Sequence, residues 1–433
     1  MGYETEYLEK RRSPEEVAAR VQSGWSCCTD IAASIPPALM EALGQRAQAG
    51  ELTGVTLHTM LDLWPMSALR PEAFPGITPV SWFSGGGLRE AANQGRGDLM
   101  PCYYRDMPEL FRDHVEVDAF LAAASPMDGH GYFSLGLAGS VSSALIQKAR
   151  HIYLEVNPRL PRVASAPMVH LSQVTALCEH EAALPVSPPV EIDPVSRTIG
   201  ELIAAEVPDG ATLQLGIGAV PEAVGLALRE KRELGIHTEL FTDSMVELLT
   251  CGAATNEHKP LYRGKSVATL TFGSQRIYDY INDNPAFLML PVDQVNDPAV
   301  IAQHPSFISV NAALEVDLFG QVCAESMGTR HISGTGGQAD YVRGATHSKG
   351  GKSFIAFPST AKGGTVSRIA STLTLGAVVT TSKNDVDRIV TEYGIAELRG
   401  RTLSQRTRAL IAVAHPDHRD RLTFEAKKRN ILI

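Results

Sequence analysis

The sequence predicts an α/β protein built from two similar α/β domains with largely parallel sheets and an active site in the cleft between them. Three observations carry this. Strand-like and helix-like segments alternate along the whole chain, the pattern of βα units and parallel sheets. The first half contains "VAARVQSGWSCCTDIAASIPPALMEAL" and the second "IAAEVPDGATLQLGIGAVPEAVGLAL". Each reads helix, glycine turn, strand, small-residue loop, proline, helix. Between the halves lies "EHEAALPVSPPVEIDPVSRTIGELI", rich in proline and acid, which places a linker near residues 181–194 and domains at 1–185 and 186–433.

The elements follow in order. "SPEEVAARV" opens a helix, with Ser13 as N-cap, an early proline and acids in the first turn. "HIYLEVN" reads as a buried strand, and "MVHLSQVTAL" is strand-like before the linker. "SRTIGELIAAEV" starts the second domain as a helix. "SFIAFP" is a further buried strand. "AVVTTSKNDVDRIVTEYGIAELRG" reads as two short strands around a turn, then a helix start.

Composition narrows the function. The 433 residues are 44% hydrophobic and 20% charged, so core size is no limitation. A net charge of −9 argues against nonspecific nucleic-acid binding, which needs a basic face. The six cysteines show no C-x-x-C spacing and the 13 histidines no H-x-x-x-H spacing. Reduced thiols, a cytoplasmic setting and no metal are therefore expected. No membrane-spanning apolar run is present, and the opening "MGYETEYLEKRRSPEEVAARV" lacks an apolar signal-peptide core.

The stretch "GIHTELFTDSMVELL" concentrates the chemistry. Leu240 and Phe241 read as core, and Asp243 as the N-cap of the following helix. Glu239 then sits at the C-terminal end of a strand, where open α/β sheets place their ligands. Such a carboxylate is either a satisfied structural acid or a reacting group. Strand alternation puts His237 on the same face.

Small-residue loops surround this candidate in the sequence. "LQLGIGAVPEAV" sets Gly216, Ile217 and Gly218 between a strand and a helix, with Gln214 just before. Backbone can approach a ligand closely there, and a helix N-terminus favours phosphate. "ISGTGGQADYV" packs Gly334, Gly336 and Gly337 densely enough to expose backbone N–H groups to an anion. "FPSTAKGGTVSRI" carries Lys362 at a loop tip. Further clusters stand in "WFSGGGLREAANQGRGDLMP" and "SPMDGHGYFSLGLAGS". So many loops across both halves imply a long ligand.

These segments, with "EVNPRLPR", "PVDQVNDPAVI", "TEYGIAELRGRTLSQR" and "AHPDHRD", resemble the acetyl-CoA hydrolase/transferase family, closest to its 4-hydroxybutyrate CoA-transferase branch. The likeness runs in family order from about residue 90 to 420. It implies an acyl-CoA:carboxylate CoA-transferase that uses coenzyme A as a substrate, with no permanently bound cofactor. In such enzymes a glutamate attacks the thioester, and here it matches Glu239. An asparagine side chain and a glycine N–H stabilise the oxyanion, matching Asn296 and Gly337. The loop of Gln214, Gly216, Ile217 and Gly218 lines the cofactor pocket, and Gly334, Gly336 and Lys362 are assigned to the same ligand. The expected partners are an acyl-CoA and a short carboxylic acid, with neither nucleic acid nor membrane, in a homo-oligomer. A plain acyl-CoA hydrolase and a non-catalytic CoA-binding protein are the rival readings.

The sequence also departs from relatives. Many carry a histidine and an acid in a first-loop segment like "GHACGEP". Here "CCTDIAASIPPAL" places Cys27, Cys28, Thr29 and Asp30 in that region, so acyl preference is expected to differ: butyrate-like acids, or dicarboxylates such as succinate and itaconate. A dicarboxylate needs a cation, for which Arg89, Arg96, Arg105 and Arg343 are candidates, each also suited to an ion pair. Among other acids, Glu392 suits pairing with Arg399. Glu325 competes with Glu239 because it precedes the glycine cluster. Asp128 and His130 are expected to order their own loop.

Overall fold

The computed structural model describes residues 2–188 and 190–432. The chain divides into two compact units, residues 1–188 with 267–295, and residues 189–266 with 296–433. Within the expected linker, residues 180–188 and 190–193 form no regular element, and residue 189 lies outside the described residues.

The first unit opens on a short helix, Tyr3–Lys10, followed by helix α1 (Pro14–Ala18). Its capping box is reciprocal: the Glu16 N–H donates to Ser13 Oγ at 3.2 Å, and the Ser13 N–H donates to the Glu16 carboxylate at 2.9 Å. Seven strands follow: β1 (Ser26–Ile31), β2 (Val55–Met60), β3 (Ile77–Ser81), β4 (Asp98–Leu99), β5 (Ala119–Ala124), β6 (His151–Val156) and β7 (Ala176–Glu179). They form one sheet in the order β4-β3-β2-β1-β5-β6-β7, and the pairings are parallel. Every residue of β5, Ala-Phe-Leu-Ala-Ala-Ala, is buried, as a central parallel strand covered on both faces must be. Helix α2 (Pro37–Gln48) returns from β1 and packs Leu39 and Leu43 with Cys27, Leu57 and Leu121 in the core.

The second unit starts with α3 (Pro194–Ala205), whose N-cap Asp193 accepts the N–H groups of Val195 and Ser196 at 2.9 and 3.0 Å. Then come β8 (Thr212–Leu215), α4 (Ala219–Ala227), β9 (Gly235–Phe241), α5 (Asp243–Thr250), β10 (Phe307–Asn311), α6 (Gln338–His347), β11 (Lys352–Ala356), β12 (Arg388–Thr391) and β13 (Gly394–Glu397). Within this unit the strands run β9-β8-β10-β11-β12-β13. The pairings are parallel except for the terminal β12–β13 hairpin.

The sequence echo corresponds to a structural one. Both β1 and β8 are interior strands preceded by a helix and followed by one. In each sheet the chain first builds outward on one side and then crosses to the other, at β1/β5 and at β8/β10. Such reversals open a crevice at the C-terminal ends of the strands. Each unit is thus an α/β fold with a largely parallel sheet.

Local differences have local causes. "MVHLSQVTAL" is not one strand. It splits into Met168–His170, a 3-10 turn Leu171–Gln173, and β7. The His170 ring accepts the Ser172 N–H at 3.2 Å while Gln173 accepts the His170 N–H at 3.0 Å, and this box turns the chain. The helix after "GIAELRG" waits until Leu403, where Thr402 and Gln405 form a capping box. No helix among the described residues is long and apolar enough to cross a membrane.

Candidate active site

Strand β9 carries the candidate nucleophile. Ile236, His237, Thr238, Leu240 and Phe241 are buried, whereas Glu239 keeps partial accessibility. The strand remains extended through Thr242, so Thr242 takes the N-cap position and Asp243 becomes the first residue of α5, a shift of one residue from the expected cap. The Thr242 hydroxyl does not cap the helix; it lies 3.0 Å from Ser244 Oγ.

Two distant segments converge on the Glu239 carboxyl. Asn296 Nδ2 donates to Glu239 Oε2 at 2.6 Å. Asn296 is fully buried, and it precedes the turn Pro298–Ile301, which Asp297 caps by accepting the Ala299 N–H at 2.8 Å. Gly337 supplies the third side. A Cβ built there would overlap Glu239 Oε2 and Asn296 Nδ2. Its φ is −98°, open to any residue, so glycine is required by space rather than by backbone conformation.

Electrostatics follow from this enclosure. Burial is the largest influence and pushes the Glu239 carboxyl up to about 7, while the Asn296 hydrogen bond pulls it down. Near neutral pH the group therefore interconverts between acid and carboxylate, the range in which a reacting carboxyl is useful.

The other expected residues occupy separate places in the second unit. Gly216, Ile217 and Gly218 form the turn between β8 and α4. The Gly216 N–H donates to Val310 O at 2.9 Å, Gly218 adopts φ +114°, and Ile217 is 58% exposed. An apolar side chain held out at a helix N-terminus suits contact with a ligand that is part apolar and part anionic. Gln214 is buried, with its amide engaged by neighbours. Gln214 Oε1 accepts from Ser309 Oγ at 2.8 Å and Asn311 Nδ2 at 3.3 Å, and Gln214 Nε2 donates to Asn311 Oδ1 at 3.3 Å. Ser309 and Asn311 escape the sequence reading; their signal is a polar period of two within "FISVN" on an otherwise apolar strand. Gly334 and Gly336 lie in the segment leading to Gly337, with Gly336 at φ +59°. Lys362 sits on an exposed turn between Thr360–Ala361 and Val366–Ser367, with φ +50°.

Several alternatives resolve differently. Glu392 does not pair with Arg399. Its carboxylate accepts the Ser359 N–H and Oγ at 2.8 and 2.6 Å, and Arg399 donates to Thr346 O at 2.5 Å. Arg96, Arg105 and Arg343 lie 3.9, 3.3 and 3.1 Å from Glu90, Asp106 and Asp385. Asp128 orders its loop by accepting the His130 and Tyr132 N–H groups at 2.8 and 2.9 Å. His237 packs 5.0 Å from His304. Asp30 is buried, accepts both from Ser142 Oγ and from the Ile31 N–H, and burial raises it to about 7. Among the described residues no group of three or more His, Cys, Asp or Glu side chains could hold a metal ion.

Comparison with known proteins assigns the family. Residues 1–188 match the acetyl-CoA hydrolase/transferase N-terminal domain and residues 273–426 its C-terminal domain. The chain belongs to the acetyl-CoA hydrolase/transferase family. A succinyl-CoA:cyclohexane-1-carboxylate CoA transferase from Geobacter metallireducens is 45% identical over 99% of this chain and 98% of its own. A 4-hydroxybutyrate coenzyme A transferase from Clostridium kluyveri is 45% identical over 99% of this chain and 100% of its own. Among solved structures, RipA from Yersinia pestis superposes with a TM-score of 0.94 at 39% identity, covering 100% of both chains. In this family member, therefore, the buried carboxyl, the carboxamide and the glycine meet within one unit.

Proposed function

We propose that the protein is an acyl-CoA:carboxylate CoA-transferase in which Glu239 is the nucleophile. The observation that carries this reading is the meeting of Glu239, Asn296 and Gly337 around one carboxyl. The full-length similarity to named CoA transferases supports it.

A carboxylate is a weak nucleophile, but a thioester is an activated acyl group. A Glu239 oxygen attacks the thioester carbon, the C–S bond breaks, and CoA leaves as thiolate with a mixed anhydride left behind. The thiolate attacks the glutamyl carbonyl, which releases the donor acid and leaves a glutamyl–CoA thioester. An acceptor carboxylate repeats the steps in reverse and restores Glu239. No proton or ATP is consumed. Each addition places negative charge on an oxygen; the Gly337 N–H is one donor to meet it, and Asn296 Nδ2, already on the Glu239 carboxyl, is the donor when the addition is to the glutamyl carbonyl. The loop of Gln214, Gly216, Ile217 and Gly218, with Gly334, Gly336 and Lys362, holds the rest of the CoA. The acyl groups are short-chain acids such as 4-hydroxybutyrate, butyrate or acetate, or dicarboxylates such as succinate or itaconate. The working form is a cytoplasmic homo-oligomer.

The test is to incubate the protein with a panel of short acyl-CoAs, reduce with borohydride, and locate the modified glutamate by mass spectrometry. Modification at Glu239 and acceptor-dependent return of acyl-CoA are expected. Free CoA released at the same rate with and without acceptor would establish a hydrolase instead.

A further inference from the structure

Glu325 lies outside the trio at Glu239, yet the glycine loop is built on it. Its main-chain oxygen accepts two N–H groups from the start of that loop, Ile332 at 2.9 Å and Ser333 at 3.2 Å. Its side chain is buried and reaches the loop a second time, two residues before Gly337. There the Thr335 hydroxyl donates to Glu325 Oε2 across a long 3.4 Å contact. The other oxygen, Oε1, accepts from Thr380 Oγ1 at 2.9 Å, and the same Thr380 hydroxyl accepts the Ala324 N–H at 2.9 Å. The far side of Gly337 is held by the residue after Thr380. Thr381 Oγ1 donates to Gln338 Oε1 at 2.9 Å, and Gln338 Nε2 donates to Ala312 O at 2.7 Å.

Gly337 thus lies at the centre of a segment fixed on both sides, with its own carbonyl accepting the Tyr341 N–H at 3.1 Å. Neither of its flanking clamps is catalytic by position, since none of their bonds reaches Glu239 or Asn296. We propose that Glu325 is a positioning residue that, with Thr380, sets the backbone N–H of Gly337 at the distance the oxyanion requires. This rests on the CoA-transferase reading above. The role needs acceptor oxygens at Glu325 rather than its charge. Burial raises the Glu325 carboxyl above the ordinary range and the two threonine hydroxyls act in the opposite direction. A carboxyl oxygen accepts the Thr380 bond in either protonation state, more strongly when ionised. Misplacement of a fixed donor by about an ångström costs roughly a hundredfold in rate, so the expected effect lies on turnover rather than on substrate binding.

The experiment compares the full-length wild type with Glu325→Ala, Glu325→Gln and Thr380→Val, and with Glu239→Gln as the inactive reference. It measures kcat, KM for acyl-CoA and the pH profile, with circular dichroism as the folding control. Glu325→Ala is expected to lower kcat about 10- to 100-fold with KM changed less than about threefold. Glu325→Gln keeps an acceptor for Thr380 and is expected to return kcat to within about threefold, with the acid limb unmoved. Thr380→Val, nearly isosteric, should lower kcat in the same direction and keeps the proposal testable if Glu325→Ala does not fold. Full kcat in Glu325→Ala or Thr380→Val beside an inactive Glu239→Gln overturns the brace and leaves the transferase intact. A Glu325→Gln variant as impaired as Glu325→Ala would show that the oxygen kept for Thr380 is not what sets Gly337, which also overturns it. A wild type without acceptor-dependent transfer refutes the parent reading instead.

Discussion

Replacing Glu239 by glutamine removes the group whose ionisation the fold resists most directly at the site. Its carboxyl is raised by burial from 4.5 to about 7. The unfolded chain therefore releases this proton near pH 4.5, while the native protein keeps it until about pH 7. Between these values the native state binds more protons, so this residue's contribution to stability falls as pH rises, and levels off above the native value. Integrating the two titrations from pH 5 to pH 8 gives a loss of about 2–3 kcal/mol, nearer 2 once the carboxyl's partial accessibility is counted. Glutamine has the same shape, does not titrate, and still offers Oε1 to Asn296 Nδ2. Urea unfolding of wild type and Glu239→Gln at the two pH values reads the difference. The variant should gain about 2 kcal/mol relative to wild type on going from pH 5 to pH 8. A stability difference that does not change with pH, or one that shrinks, refutes the claim that burial of an ionising carboxyl is the cause.

The same titration has the opposite sign in activity. The first half-reaction needs the carboxylate, so log kcat/KM for acyl-CoA should rise with unit slope below about pH 7 and flatten above it, measured by initial rates across the range. Gly337→Ala should fold, because φ −98° admits alanine, yet lose about a hundredfold or more in kcat as its Cβ displaces the Glu239 carboxyl; circular dichroism and turnover together check this. Asn296→Ala should lower kcat by about 10²–10³ and move the acid limb of the pH profile upward, since the lost hydrogen bond is the influence that lowers Glu239.

Periodicity and turn chemistry made the scaffold legible, and tertiary partnership hid much of the rest. Ser13 and Glu16 lie three residues apart, so their capping box can be read directly. The repeated helix–strand–helix around β1 and β8 is equally local. Glu239 stands out because it is an acid inside a strand that otherwise reads as buried. Nothing local links it to Asn296, which is 57 residues away, or to Gly337; those assignments come through family resemblance. Gln214 shows the limit: its amide is taken by Ser309 and Asn311 from a neighbouring strand, across 95 and 97 residues. Proximity in sequence suits Glu392 to Arg399, but Ser359, 33 residues earlier, donates to it twice. Short-range charge pairing fails wherever a parallel sheet brings a remote segment closer than the next turn of chain.

The Asn296 contact imposes a conflict on the proposed chemistry, and the conflict has a kinetic signature. A donor 2.6 Å from Glu239 Oε2 stabilises the carboxylate and so blunts its first attack on the thioester. Later the thiolate adds to the glutamyl carbonyl, whose oxygen becomes the oxyanion, and the same donor then lowers the barrier. The two additions therefore depend on Asn296 unequally. In Asn296→Ala the anhydride should form with a modest change in rate, while its conversion to the glutamyl–CoA thioester slows by the larger part of the loss. Rapid-quench detection of the two adducts on Glu239 separates the steps. Equal slowing of both would mean that the carboxamide only orients the nucleophile, and that Gly337 alone carries the oxyanion.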